Sequence, residues 1–146
     1  MGKLIKYLII GALFLGVYTF ANAYSVGREH KDFVKNVEYV IQQVQASWSE
    51  EEGEENVRNL VLRAASENGL ELDKDNVQVK YSRRESAVGG ETSYTKYNRG
   101  NDTIEMGTMQ TYQVFARATV TVTYDRVITP FYTKELKFTR SSKEVR

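Results

Sequence analysis

A chain of 146 residues has room for one domain, and an apolar head takes up part of that length. Apolar and charged fractions of 41% and 27% sit near globular averages and exclude disorder throughout. A formal net charge of +1 excludes a general nucleic-acid binder, and the absence of cysteine removes disulfides, zinc–thiolate sites, iron–sulfur sites and thiol nucleophiles together.

Lys3 and Lys6 open the chain, and no charged residue follows from Tyr7 to Gly27 before Arg28. As a helix, those 21 residues cover about 32 Å, the thickness of a bilayer's hydrocarbon core. Leu8, Ile9, Ile10, Leu13, Phe14, Leu15, Val17 and Phe20 supply apolar mass. Tyr7, Tyr18 and Tyr24 lie near the two ends, where amphipathic rings favour the interface. Residues 1–27 therefore read as a transmembrane anchor. The same letters also fit a secretory signal: a basic start, an apolar stretch from Tyr7 to Phe20, and Ala21-Asn22-Ala23 as a small-x-small cleavage site before Tyr24. Either way, residues 28–146 are expected outside the cytoplasm.

From Glu29 to Trp48, apolar positions fall at Phe33, Val37, Val40 or Ile41, Val44 and Trp48, steps of three and four that predict an amphipathic helix. Gly27 is the expected bend between it and the membrane helix. An acidic run from Glu50 to Glu55, broken by Gly53, favours the start of a second amphipathic helix, with Ser49 as its cap. Val57, Leu60, Val61, Ala64 and Ala65 form its apolar stripe, and Gly69 after Asn68 is its stop.

Asp73 to Asn76 reads as a turn, after which Val77, Val79 and Tyr81 alternate with polar residues as a strand. The polar stretch 83–109 reads as a long loop or an irregular hairpin, and its Tyr94, Tyr97 and Arg99 are candidates for a contact surface. Thr111 to Tyr124 alternates strictly, with Tyr112, Val114, Ala116, Ala118, Val120, Val122 and Tyr124 on one face, and so predicts a half-buried antiparallel strand. A turn around Asp125–Pro130 leads to a last strand with Tyr132, Leu136 and Phe138 on one face; the end, from Thr139, is expected to fray. The fold class is α+β: a transmembrane helix, two amphipathic helices, then an antiparallel sheet of three or four strands.

This layout resembles a family of small proteobacterial membrane proteins known only as a domain of unknown function. Three stretches carry the resemblance. They are the apolar head followed by Tyr24-Ser25 and Phe33-Val34-Lys35; Asn56 to Ala65 with Gly69 to Leu72 and Asn76 to Val79; and Val120 to Tyr124 with Leu136 to Thr139. The resemblance implies an uncleaved anchor and an extracytoplasmic domain, and brings no catalytic residues.

No catalytic, metal or cofactor constellation stands out. His30 is the one histidine and reads as a solvated residue beside the membrane segment. Asp73 to Asn76 lacks the glycine and closing Glu of a calcium loop, and Gly89-Gly90 lacks the residues of a phosphate loop. Glu85, Glu91, Asp102 and Glu105 read as solvated charge in the loop. The expectation is a non-enzymatic, single-pass protein of the bacterial inner membrane. Its periplasmic domain is expected to bind another envelope protein or a second copy of itself. The alternative is a secreted ligand-binding module released after Ala23.

Overall fold

The computed structural model describes residues 2–98, 100 and 103–146. One helix, α1, runs without interruption from Gly2 to Val40, about 58 Å of continuous rod. The expected bend at Gly27 is absent, so the apolar segment and the first amphipathic segment form one helix. Two separate amphipathic helices are therefore not present. Gly27 is exposed with nothing packed against it, and helical hydrogen bonding simply carries through. A glycine costs a helix about 1 kcal/mol but breaks it only where another conformation is favoured.

The two halves of α1 live in different surroundings. No side chain from 2 to 25 is buried, and Val26 is the first that is. Phe33, Val34 and Val37 then face the domain core, as do Ile41 in the 3-10 turn Ile41–Gln43 and Val44 after it. The stripe read from the sequence is the packed face.

Helix α2 spans Glu50–Glu67. Ser49 caps it reciprocally: its hydroxyl accepts from the Glu52 amide at 3.3 Å, while the Glu52 carboxylate accepts from the Ser49 amide at 3.1 Å. The Ser49 amide, and after it the Ser49 hydroxyl donating to the same carboxylate at 3.0 Å, hold the Glu52 carboxyl below its ordinary value. At the other end Gly69, at φ +69°, reverses the chain. Leu70 N–H reaches Ala65 C=O at 2.9 Å and Gly69 N–H reaches Ser66 C=O at 3.0 Å, with Leu70 buried beneath.

Three strands, β1 (Val77–Ala87), β4 (Tyr112–Thr129) and β5 (Tyr132–Ser141), form an antiparallel sheet with β4 in the centre. Ala116, Ala118, Val120, Val122 and Tyr124 all bury on the helix side, and Val77 and Tyr81 on β1 sit opposite Val122 and Ala118. Phe138 of β5, opposite Val122, completes the layer. Phe33 meets Tyr124 and Phe138 edge-on at 5.8 and 5.5 Å.

The stretch 83–109 is more regular than expected. Its first residues extend β1 to Ala87, and the rest holds β2 (Thr92–Asn98) and β3 (Thr103–Met109), paired antiparallel as a separate two-stranded sheet. Fraying after Thr139 is also absent. Thr139–Ser141 belong to β5, Ser142 is buried with its hydroxyl accepting from Ala118 N–H at 3.0 Å, and Val145 and Ala116 exchange backbone bonds at 2.9 Å.

Candidate functional site

Three regions of the molecule present themselves: the bare half of α1, the polar seam that joins α1 to the sheet, and the β2–β3 arm. Tyr7, Leu8, Ile9, Ile10, Leu13, Phe14, Leu15, Val17, Tyr18 and Phe20 all stand exposed on α1. This helix is long and apolar enough to cross a membrane or to serve as a signal sequence. Ala21-Asn22-Ala23 lies inside it, with no extended segment around the sequence-predicted cleavage point.

The seam runs beside the apolar stripe. Asn22 Nδ2 donates to the Ile128 carbonyl at 3.1 Å, Glu29 pairs with Arg126, Glu38 pairs with Arg140, and Lys143 N–H donates to Gln42 Oε1 at 3.1 Å. His30 belongs to the same seam. Its Nδ1 shares a 2.8 Å hydrogen bond with the Tyr124 hydroxyl, and its ring lies edge-on to Phe138 at 5.6 Å. It is a half-buried packing residue rather than the solvated one expected. Burial, with Lys134 and Arg140 nearby, lowers its pKa. Burial raises Tyr124 to about 12, with Arg126 opposing and Glu29 adding to the shift. Around the helix axis Asn22 and Glu29 flank the apolar stripe on one edge, Glu38 and Gln42 of the following turn flank it on the other, and His30 lies between them, so seam residues border the core on both sides. Sequence reasoning missed the seam because its partners lie about 100 residues away in the chain.

The β2–β3 arm carries the predicted contact residues Tyr94 and Tyr97, both exposed; Arg99 lies outside the described residues. Tyr97 faces Ile104 across the pair, and Thr95 faces Met106, which is 80% exposed. Alternation puts these four on one side of the arm. On the other side Tyr94 lies over Gly107, where any side chain would collide with the ring at 2.8 Å. Neither side is covered by the rest of the domain. Ile104, Met106 and Met109 went unremarked in the sequence, although the alternation of Ile104 and Met106 with polar neighbours was a strand signal.

Among the described residues no group of three His, Asp or Glu side chains could hold a metal ion. Glu85 is exposed and pairs with Arg83 at 3.2 Å, Glu91 is exposed, and the side chains of Asp102 and Glu105 are outside the description. A depression of about 710 Å³ lies at the base of the arm between Val44, Arg83, Tyr112 and Arg146, and it brings no pair of carboxylates together. No family model, no curated protein and no solved structure matches this chain.

Proposed function

We propose that this is a non-enzymatic, membrane-tethered envelope protein whose C-terminal domain binds another envelope protein or a second copy of itself through the β2–β3 arm. The observation that carries this reading is the continuity of α1. Its first half is bare and apolar, and its second half is a central part of the domain core. Such a helix transmits position without a flexible joint.

β4 runs from the Asn22–Ile128 contact to the base of the arm at Tyr112, roughly 50 Å of strand. The arm is thus carried at the end of the domain remote from the bare helix, with apolar side chains on both faces. A two-stranded ribbon of this kind has little stability alone and exposes backbone edges that suit strand addition by a partner. Confinement to a surface raises the effective concentration of the arm for partners held there.

The test combines fractionation, mass determination and cross-linking. The anchored protein is recovered with inner membranes at the mass of the uncleaved chain. A photocrosslinker at Met106 captures one discrete partner, and capture is lost in the Tyr94→Ser, Tyr97→Ser, Arg99→Ser variant while β-sheet content is kept. A soluble product beginning at Tyr24 would replace the anchor with the secreted alternative, and unchanged capture would remove the arm.

A further inference from the structure

We infer that the β4–β5 hairpin tip is a second membrane contact, dipping into the outer lipid interface beside α1 and fixing the tilt of the domain on the bilayer. The inference rests on the anchor reading proposed above.

Four observations carry it. The first is register. The tip touches α1 at Asn22, where the Ile128 carbonyl accepts from the side-chain amide. Asn22 lies five residues inside the uncharged run that ends at Gly27, a depth of about 7.5 Å along the helix. A bilayer that receives the whole run must also receive the tip.

The second is composition. From Val127 to Thr133 the tip holds no charged residue. Phe131 is 96% exposed and stands beside Pro130 and Tyr132, with Val127 exposed as well. Amphipathic and aromatic side chains of this kind favour the headgroup boundary.

The third is polar satisfaction. The Asn22 side chain, within the apolar helix, and the Ile128 carbonyl, at the end of the sheet, would each be costly unpaired in lipid, and they pair with one another.

The fourth is charge. Arg126 and Lys134 face each other directly across β4 and β5 just above the tip. Like charges in that position destabilise a sheet in water. Glu29 neutralises Arg126, and Lys134 remains exposed at the height where lipid phosphates would lie.

The chain has no cysteine, which makes the test direct. Full-length Phe131→Cys, Leu13→Cys and Met106→Cys variants are labelled with an environment-sensitive fluorophore. They are reconstituted into phosphatidylcholine–phosphatidylglycerol vesicles whose acyl chains carry bromine at shallow or deep positions. The inference expects the residue 131 label to shift to the blue and to lose emission chiefly to shallow bromine. The residue 13 label should be quenched by deep bromine and the residue 106 label by neither. Quenching at 13 with none at 131 overturns the inference and leaves the anchor intact. Absence of quenching at 13 overturns both.

Discussion

Gly53→Ala is expected to destabilise the domain although alanine is the better helix former. Gly53 sits in the first turns of α2 beneath Tyr81 of β1, and a Cβ there would lie 2.5 Å from the Tyr81 ring. An ordinary carbon–carbon contact is about 3.6 Å, so the ring must retreat by roughly 1 Å. It has nowhere to go: Tyr81 is 4% exposed and its hydroxyl donates to the Gln45 carbonyl at 2.7 Å. Overpacking of this kind costs about 1–3 kcal/mol. Loss of the tyrosine hydrogen bond costs about 1 kcal/mol more, and helix propensity returns about 1 kcal/mol. The net loss is thus about 1–3 kcal/mol, which at a typical slope lowers a urea midpoint by about 1 M. Trp48, the only tryptophan and half-buried in the segment leading to α2, supplies the fluorescence readout in detergent. A Tyr81→Leu background removes the ring, and there Gly53→Ala should be neutral or stabilising. Equal or greater stability of Gly53→Ala in the native background would refute the packing argument.

Three further outcomes are expected. Phe33→Ala should cost about 3–5 kcal/mol in the same unfolding assay, because the ring is fully buried between Tyr124 and Phe138. Ser49→Ala should cost about 1 kcal/mol by removing the α2 cap, and Ser49→Asp should restore most of it. His30 gives a pH signature. Its folded pKa lies below the unfolded value of 6.5, so the unfolded chain takes up the proton first. The contribution of His30 is therefore complete above 6.5 and is lost as pH falls from there through the folded pKa. Urea midpoints measured from pH 7.5 to 5 should show this decline, and His30→Gln should flatten it.

The amino-acid sequence determined those features that depend on local pattern. Uncharged length before Arg28 specified an apolar helix. The spacing of Phe33, Val37 and Ile41 specified its buried stripe. Ser49 and Gly69 bounded α2, and strict alternation from Tyr112 to Tyr124 specified the central strand and its inner face. Each follows from the periods of helix and strand or from the chemistry of a single terminus, so no distant partner was needed.

Tertiary structure decided what depends on contacts between remote residues. It joined the apolar head and the first amphipathic segment into one rod, and the seam from Asn22 to Gln42 binds that rod to β4, β5 and the segment after β5. It turned His30 from a surface residue into a partner of Tyr124, explained Gly53 by the ring of Tyr81, and paired Thr92–Asn98 with Thr103–Met109 as an arm. The contact of the β4–β5 hairpin with the apolar half of α1 was equally invisible in the sequence, since the hydrogen bond from Asn22 to the Ile128 carbonyl joins residues 106 apart.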